Sequence, residues 1–399
     1  MNRRLGAMCI VAGTSIGAGV IALPMVLAAF GLVPTLFLVA ATWWIMYRSA
    51  LVNLELVLQS GKCLDIGALG RLYGGPSTSI FGEVVLLALM YSLMGAYFYG
   101  FASLLCQVFS IGHSFHGTIA IALAVSFIFL MLLPMRWLDS VNRVVFGAML
   151  LAGAILIVRL CGAARFHWDV MFPSGGHGGL WLAAIPVLFT SFGFQVIFAA
   201  MAEYCSMDED ALRRAFFWGS FITALVYCVW TWSTLLAIRG HSGEFFAALA
   251  AGSVDVGSFV SELSTIGGGG SSVSLVWAIS VSAIGTSIIG VGMGLCNSLG
   301  RHLRWEGAGN SLRRRISIAS AAAIPSAVLA IVIPKAFTAV LGFAGVILAI
   351  LAIFIPVYLL RRCGPAKVFY GPVGERKNSI FLLAGGAVVV CCELLHICL

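Results

Sequence analysis

The stretch GTSIGAG, residues 13–19, places three glycines in seven positions near the centre of an apolar span that runs from about Leu5 to about Leu27. A glycine inside a helix costs about 1 kcal/mol relative to alanine. Thr14 and Ser15 add polar atoms at a depth where lipid offers no hydrogen-bond partner. The pattern therefore predicts a membrane helix that is interrupted at its centre, with a compensating interaction elsewhere in the protein.

The composition of the whole chain is that of an integral membrane protein. Its 399 residues are 61% hydrophobic and 10% charged, with a mean hydropathy of +1.06, whereas soluble domains are about 45–50% apolar. Eleven apolar stretches are long enough to cross a hydrocarbon layer about 30 Å thick. We place these predicted spans at residues 5–27, 33–58, 80–109, 118–135, 144–162, 180–204, 215–238, 273–299, 316–333, 336–360 and 380–397.

The distribution of basic residues predicts the orientation of these spans. If the N-terminus is cytoplasmic, eighteen Lys and Arg residues fall in inner segments and three in outer segments. Cytoplasmic loops carry such an excess of positive charge, so we predict a cytoplasmic N-terminus and an outer C-terminus. The net charge of +8 then reflects topology and contact with anionic lipid, and no nucleic-acid partner is predicted.

Several function classes lack the sequence patterns that they require. The eleven cysteines include no CxxC pair, and no HExxH spacing occurs, so neither a metal site nor a disulfide framework is predicted. No cofactor is expected. A membrane enzyme would need paired carboxylates or a metal at one depth, and an ion channel would need a ring of like charges or a symmetric filter loop. The sequence therefore favours a transporter that is not an enzyme, with an ion channel as the alternative from another class.

A second interruption of the same kind occurs five spans later. The sequence AIPVLFTSFGFQ, residues 184–195, combines Thr, Ser and Gly at its centre. Because five crossings separate the two spans, they run in opposite directions, and such pairs are typical of inverted-repeat transporters. We predict a single transmembrane transporter domain over residues 1–399, with repeats over about 5–162 and 180–360 and an extra helix over about 380–397.

The glycines of the first span also have a simpler explanation. Gly13 and Gly17 form a GxxxG motif, which lets two membrane helices pack closely. For a lone motif, packing would be the favoured explanation. The combination of glycines, hydroxyl side chains and a counterpart at residues 184–195 favours a binding site instead. A phosphate-binding loop is excluded because no lysine follows the glycines.

A broken helix supplies backbone groups that bind a charged ligand. If the first span breaks near Ile16–Ala18, its outer half begins at Gly19 with unpaired N–H groups and a positive dipole end, which would bind a carboxylate. The freed carbonyls of Ala12–Thr14, and those at the end of the outer half-helix near Thr190, would bind an ammonium group. A zwitterionic amino acid is therefore the predicted substrate, and no charged side chain is needed to bind it.

Five stretches, spread along the chain from residue 3 to residue 356, carry a family resemblance that covers nearly the whole chain. They are RRLGAMCIVAGTSIGAGVIALP (3–24), WIMYRSALVNLELV (44–57), AIPVLFTSFGF (184–194), TSIIGVGMGL (286–295) and AVLGFAGVILAILAIFIP (339–356). In these motifs the chain resembles the hydroxy and aromatic amino acid permease family of bacteria, in the APC superfamily. The resemblance implies an all-α integral membrane fold like that of LeuT-type transporters, with about eleven transmembrane helices. It also implies a 5+5 inverted repeat with broken helices 1 and 6, and one extra C-terminal helix.

The same resemblance implies an activity. It is import of an aromatic amino acid, with L-tyrosine as the expected substrate, across the bacterial inner membrane by proton symport with alternating access. A tryptophan or hydroxy amino acid permease of the same fold remains the alternative. Three positions depart from the family's pattern: Gln195 stands in place of His, Asn297 where the pattern tends to carry Asp, and Arg48 in place of an uncharged residue. Because a titratable group is lost at Gln195, the coupling ion stays open, with a proton favoured over sodium.

Candidate site residues follow from the two breaks and from polar residues in neighbouring spans. Aromatic rings beside the breaks are candidate contacts for a substrate ring. Hydroxyls of span 8 are candidate sodium ligands, although such hydroxyls more often bond to their own backbone. Glu55 and Glu83 are candidate proton carriers if they are buried. The predicted substrate-binding residues are Gly13, Thr14, Ser15, Gly17, Ala18, Gly19, Thr190, Ser191, Phe192, Phe194, Tyr91 and Tyr97. The predicted ion-coupling residues are Glu55, Glu83, Gln195, Thr286, Ser287 and Asn297.

Overall fold

The computed structural model describes residues 3–163, 167–172, 180–266, 270–302, 312–333, 336–365 and 367–398, and every regular element in these ranges is helical. The α-helices are α1 (Arg3–Ser15), α2 (Gly19–Leu27), α3 (Leu32–Ser60), α4 (Ile66–Leu69), α5 (Pro76–Val108), α6 (His116–Met131), α7 (Met135–Ala163), α8 (Leu180–Ser191), α9 (Phe198–Tyr204), α10 (Glu209–His241), α11 (Gly243–Ala250), α12 (Val256–Ile266), α13 (Gly270–His302), α14 (Leu312–Val332), α15 (Ala336–Ala349), α16 (Ile355–Cys363), α17 (Tyr370–Val373) and α18 (Arg376–Cys398).

Long apolar helices account for most of the described chain. Nine helical stretches in the described ranges are long and apolar enough to cross a membrane, and the bent pair α1 and α2 adds a tenth. The apolar helix α6 is shorter, with 16 residues. The prediction of an all-helical integral membrane protein is therefore confirmed. The total of eleven spans depends on α6 and stays a prediction.

The first predicted span is broken where its glycines indicate. α1 ends at Ser15, α2 begins at Gly19, and the two helices are bent by 53°. The inner helix nevertheless continues through Gly13, and the amide of Ile16 donates to the carbonyl oxygen of Ala12 at 2.8 Å. The prediction of a free carbonyl at Ala12 is therefore wrong, because the hydrogen-bond ladder extends further than the glycines suggested.

The second break follows the C-terminus of α8. That helix ends at Ser191, and a short 3-10 turn over Phe194–Ile197 leads into α9. Gly193 lies in the connection, where an added Cβ would be 2.9 Å from the carbonyl oxygen of Thr190. The predicted end of the half-helix near Thr190 is confirmed to within one residue.

A third interruption, which the sequence analysis did not predict, lies between α15 and α16. Residues Ile350–Phe354 form a π turn just before Pro356. A proline cannot donate to the carbonyl four residues earlier, and its ring displaces that carbonyl. The freed oxygen belongs to Ala352, and it accepts from the side chains of Ser49 at 2.5 Å and Asn53 at 3.1 Å. Polar side chains of α3 thereby satisfy a backbone group in the membrane interior.

Small residues let the broken helices pack closely against their neighbours. α1 packs on α10, α8 packs on α15, and α2 contacts both α8 and α10. At Gly345 of α15, a Cβ would collide with the backbone of Pro186 in α8. At Gly219 of α10, a Cβ would be 2.6 Å from the side chain of Val11 in α1. These approaches bring the two breaks against the middle of α10.

Candidate substrate-binding site

The C-terminal ends of two half-helices meet at one side chain of α10. The Tyr227 hydroxyl oxygen lies 2.7 Å from the carbonyl oxygen of Ser15 and 2.9 Å from that of Ser191, the last residues of α1 and α8. Because the hydroxyl has a single hydrogen, the two carbonyls share it. Two helix C-termini, each with partial negative charge, therefore converge on a position that one neutral donor occupies.

The N-terminal end of α2 faces a second side chain of the site. The backbone amide of Ala18 donates to the hydroxyl oxygen of Ser287 on α13 at 3.2 Å. The same hydroxyl donates to the carbonyl oxygen of Ala283 at 2.8 Å. The positive end of the helix dipole is thus met here by a neutral oxygen, at the end predicted to bind a carboxylate.

Close approach of these polar side chains explains two of the three glycines. A Cβ on Gly17 would lie 2.6 Å from the Ser287 hydroxyl oxygen. A Cβ on Gly19 would lie 2.8 Å from the Ser191 hydroxyl oxygen and 2.9 Å from that of Tyr227. Any larger residue would push these hydroxyls away from the break. Glycine is therefore required for the polar contacts that join the two half-helices.

The remaining candidates of the first break are bound within α1 or to a neighbouring helix. The hydroxyls of Thr14 and Ser15 each donate to the carbonyl four residues earlier. Ser15 is buried and Thr14 is exposed. A Cβ on Gly13 would lie 3.1 Å from the Phe146 ring of α7. For Gly13, the structure therefore favours helix packing, the alternative that its GxxxG spacing left open.

At the second break, a threonine connects α8 to α15. The Thr190 hydroxyl lies 2.9 Å from the carbonyl oxygen of Pro186 and 2.8 Å from that of Leu341 in α15. The Ser191 hydroxyl donates to the carbonyl of Val187 at 2.9 Å. Both residues are buried, so the C-terminal end of α8 is fixed to its neighbour by hydrogen bonds in a region that excludes water.

Two fully buried phenylalanines of the second break have different surroundings. The Phe192 ring stands edge-on to the Tyr227 ring, with centroids 5.5 Å apart and an interplanar angle of 84°. The Phe194 ring packs instead against Phe198 and Phe216, with centroids 6.5 and 5.7 Å apart. Phe192 therefore lies at the junction of the breaks, whereas Phe194 belongs to an aromatic cluster between α9 and α10.

The two candidate tyrosines of α5 are also separated. Tyr97 is buried, interacts with the Ser287 hydroxyl and lies close enough to Tyr227 for the two phenols to interact. Tyr91 donates its hydroxyl hydrogen to the carbonyl oxygen of Ala321 in α14 at 2.9 Å. Of the two, only Tyr97 is brought to the helix breaks.

Sequence reasoning missed the contribution of α10. Besides Tyr227, the indole nitrogen of Trp230 donates to the carbonyl oxygen of Val20 in α2 at 2.6 Å. Residues three apart share one face of a helix, so both rings project toward the broken span. The signal in the sequence is a tyrosine and a tryptophan at this spacing within an apolar span, each with a polar group that needs a partner when buried.

The candidate ion-coupling residues do not form one cluster. The Thr286 hydroxyl donates to the carbonyl oxygen of Ser282 at 2.8 Å, one turn earlier in α13. Asn297 is exposed near the end of that helix. Gln195 is 7% exposed, its amide nitrogen lies 3.8 Å from the sulfur of Met46, and its Oε1 atom has no hydrogen-bond partner among the described residues.

Glu55 is completely buried, and its carboxylate is saturated by donors. It accepts backbone N–H bonds from Lys367 at 2.6 Å, Val368 at 3.0 Å and Phe369 at 2.6 Å. The side-chain amide of Gln59 adds a fourth bond at 2.5 Å. This arrangement fixes the segment between α16 and α17 to the end of α3, and it favours a structural role for the carboxylate.

A polar cavity lies beside the ends of α5 and α13. Its volume is about 570 Å³, and Glu83 lines it together with an ion pair of 2.9 Å between Arg301 and Asp65. A smaller cavity of about 50 Å³ shares Asp65 and Leu86 with it and extends to Gln195. The two cavities thus lead from one end of the helices toward the residue that follows the second break.

The architecture and the site define a class of protein. Two interrupted membrane helices, with their polar ends meeting in the interior, are typical of secondary transporters. The sequence profile of the Tryptophan/tyrosine permease family matches residues 1–393. The chain belongs to this family, which confirms the resemblance inferred from its motifs.

Individual relatives match over most of their length. The chain is 31% identical over 392 residues to the Tyrosine-specific transport system 1 of Haemophilus influenzae, covering 98% of this chain and 96% of the relative. It is 30% identical to the Tyrosine-specific transport system 2 of the same organism, covering 90% and 88%. It is also 27% identical to the Tryptophan-specific transport protein of Pseudomonas aeruginosa, covering 90% and 85%.

Proposed function

We propose that this protein is a secondary active transporter of the bacterial inner membrane that imports an aromatic amino acid, L-tyrosine first, by proton symport with alternating access. The names of the two relatives at 30–31% identity support tyrosine. The name of the Pseudomonas relative supports tryptophan as the second candidate. The observation that carries the proposal is the convergence of the Ser15 and Ser191 carbonyls on one exchangeable donor.

In this proposal the substrate ammonium binds between the two helix C-termini. It would take over the carbonyl oxygens of Ser15 and Ser191 from the Tyr227 hydroxyl. An ammonium has three donors and a full positive charge, so it satisfies both carbonyls at once and interacts favourably with both dipole ends. The hydroxyl of Tyr227 would then be free to accept the third N–H.

The substrate carboxylate binds at the N-terminus of α2. There it would displace the Ser287 hydroxyl from the amide of Ala18, where helix geometry favours an anion. Gly17 and Gly19 lack side chains that would block this approach. The aromatic ring would lie against Phe192, with the Tyr97 hydroxyl available to a phenol or indole of the substrate.

Proton coupling is favoured over sodium coupling by the state of the span 8 hydroxyls. Both Thr286 and Ser287 donate to carbonyls of their own helix, as hydroxyls in membrane helices commonly do. The polar cavity and the smaller, mostly apolar cavity that reaches Gln195 would form the inner access route in the inward-facing state. The 5+5 inverted repeat, eleven spans and a cytoplasmic N-terminus complete the proposed architecture.

Uptake by the purified protein in liposomes tests the proposal directly. Labelled tyrosine would be offered under an inward proton gradient or an inward sodium gradient, applied separately. Unlabelled Tyr, Trp, Phe and Ser would compete. We expect proton-driven accumulation that Tyr, Trp or Phe inhibits more strongly than Ser. Absence of uptake for all four amino acids under either gradient would refute the transporter assignment.

A matched pair of glycine variants connects the activity to the break. Gly17→Ala places a methyl group against the Ser287 hydroxyl and should abolish substrate binding. Gly290→Ala, on the same helix as Ser287, meets open space within 4 Å and should bind like the wild type. Equal tyrosine affinity in both variants would indicate that the glycines of the first break serve helix packing rather than substrate binding.

A further inference from the structure

A second buried carboxylate, which the site described above does not use, lies in α18. Glu393 is 3% exposed, and its Oε2 atom has no hydrogen-bond partner among the residues that the structure describes. The carboxylate lies over Gly342 of α15, where a Cβ would be 2.7 and 2.8 Å from its two oxygens. The absence of a side chain at Gly342 therefore creates the space that the carboxylate occupies.

Among the described residues, α8 and α15, which pack against α18, supply no counter-charge to this carboxylate. α8 and α15 pack on α18, and neither contains an ionisable residue; the same is true of the π turn that follows α15. On α18 itself, the nearest titratable side chains are Cys392 and His396. An ionised carboxylate without a partner is strongly unfavourable in such a place, so the closed arrangement favours the neutral carboxyl.

The other elements that contact α18 carry their charges near its opposite end, where Glu55 of α3 binds residues 367–369. Arg48 of α3 donates to the side-chain oxygen of Asn378, in the first turn of α18. Fifteen residues of helix, about 22 Å, separate this position from Glu393. α17, with Tyr370, immediately precedes α18 in the chain. Protonation of Glu393 is therefore governed by burial and by access of water.

Glu393 is connected to the second helix break through two adjacent residues of α15. Gly342 directly follows Leu341, whose carbonyl oxygen accepts the hydrogen bond of Thr190 at 2.8 Å. The next residue of α8, Ser191, presents its carbonyl to Tyr227. A displacement of α15 at Gly342 would therefore move the hydrogen-bonded end of α8, where the substrate ammonium is proposed to bind.

We propose that Glu393 is the proton-binding site of this transporter and that its protonation allows α15 and α18 to close on the second break. The inference rests on the proposed proton symport. With the predicted topology, a proton from the outer side neutralises the carboxylate, which then packs dry against Gly342. Loss of the proton restores a charge that requires water, so α15 separates from α18 and the end of α8 is released. The proton is carried unchanged from one side to the other.

Replacement by a neutral isostere tests this role. Glu393→Gln mimics the permanently protonated state. It should retain tyrosine binding and exchange of labelled for unlabelled tyrosine across liposomes without a gradient. It should lose all accumulation above the external concentration under a proton gradient. Substrate-induced proton uptake or release, followed with a pH indicator in weakly buffered detergent solution, should also disappear. Glu203→Gln, at an exposed carboxylate, should behave like the wild type.

The outcomes separate this inference from the proposed function. If wild-type protein neither exchanges nor accumulates any of the four amino acids, the transporter assignment fails. If wild-type protein shows proton-driven accumulation and Glu393→Gln accumulates equally, the assignment stands and the role of Glu393 is refuted. Gly342→Ala gives an independent test because its methyl group would displace the carboxylate. It should shift the pH dependence of accumulation. An unchanged pH profile would contradict the proposed packing of the Glu393 carboxylate against Gly342.

Discussion

Among the residues that the structure describes, two glutamates are buried, and their surroundings are opposite. The Glu55 carboxylate accepts four hydrogen bonds, three of them from backbone amides of residues 367–369. The Glu393 carboxylate faces a glycine and has an oxygen without a partner among the described residues. Burial alone therefore does not distinguish a structural carboxylate from a functional one. The degree to which its lone pairs are satisfied does.

Tyr227 is intermediate between these two extremes. It offers one hydrogen to two backbone carbonyls, so neither acceptor is fully satisfied. A fully satisfied group is costly to remove and has nothing to exchange. An incompletely satisfied group can exchange its partner for a ligand or a proton. This ordering predicts the relative effects of substitution at the three residues.

The largest loss of stability is expected for Glu55→Ala. Removal of the carboxylate leaves three backbone amides without their acceptor. The bond from Phe369 is buried and the other two are partly buried, and an unsatisfied buried donor costs about 1–3 kcal/mol. The midpoint of thermal unfolding in detergent should fall far below that of the wild type. Glu209→Ala, at an exposed carboxylate, is the control. Equal midpoints for the two variants would show that the segment 367–369 does not depend on Glu55.

A second substitution of Glu55 tests whether this carboxylate takes part in proton coupling. Glu55→Gln removes the charge but keeps an oxygen acceptor, so some of the hydrogen bonds from the backbone amides of residues 367–369 should remain. Proton-driven uptake per folded molecule should match the wild type, unlike that of Glu393→Gln. A selective loss of proton coupling in Glu55→Gln would instead support the sequence-based prediction of Glu55 as a proton carrier.

Local chemistry made the two predicted breaks readable from the sequence. Glycines and hydroxyls at mid-membrane depth indicated both positions, and the helices end at Ser15 and Ser191. The third interruption has an equally local signal in the sequence, Pro356. The helix ends at these two breaks were predictable to within a residue or two because the cost of a glycine depends on the nearest few residues.

Contacts between distant segments could not be predicted in this way. A single sequence does not say which face of α10 meets the breaks, so Tyr227 was missed although its span was predicted. The space that the Glu393 carboxylate occupies exists only because Gly342, about fifty residues earlier, lies opposite it. Glu55 was predicted as a candidate proton carrier if buried. Its hydrogen bonds from backbone amides could not be foreseen, because they do not depend on residue identity.

A smaller, ligand-dependent effect is expected for Tyr227→Phe. Without the hydroxyl, the carbonyls of Ser15 and Ser191 lose their donor in the empty protein, at a cost of about 1–3 kcal/mol. A bound ammonium would satisfy both carbonyls again. The variant should therefore unfold at a lower temperature than the wild type when empty. Saturating tyrosine should raise the unfolding midpoint of the variant by more than it raises that of the wild type. An identical tyrosine-induced shift in both proteins would contradict the proposed exchange of partners.

A still smaller effect is expected at an exposed ion pair. Asp169 lies 2.6 Å from Arg239, and both side chains are partly in water. Burial opposes ionisation of the Asp169 carboxyl, but the hydrogen bond and charge of Arg239 outweigh it and lower its pKa. Exposed pairs contribute about 0.2–1 kcal/mol. Asp169→Asn should lower the unfolding midpoint slightly at neutral pH.

The pH dependence of this small effect has a definite sign. Because the pKa is lowered in the folded state, the pair stabilises the protein above the unfolded pKa of about 3.9, and this contribution is lost as pH falls below it. The difference between wild type and Asp169→Asn should therefore vanish in acid. A difference that persists unchanged where the carboxyl is protonated in both the folded and the unfolded protein would show that the aspartate acts through packing rather than through charge.

The smallest effect on stability is expected where the effect on coupling is greatest. Glu393 has no counter-charge on α8 or α15. An isolated buried charge is costly, so a neutral side chain should not destabilise the protein at this position. Glu393→Gln should unfold no earlier than the wild type at neutral pH, and its midpoint should vary less with pH. Glu55→Gln should unfold at a lower temperature than the wild type. The two substitutions would then change the unfolding midpoint differently, which would distinguish the structural carboxylate from the functional one. A large loss of stability in Glu393→Gln would mean that the carboxylate has a structural partner and belongs with Glu55.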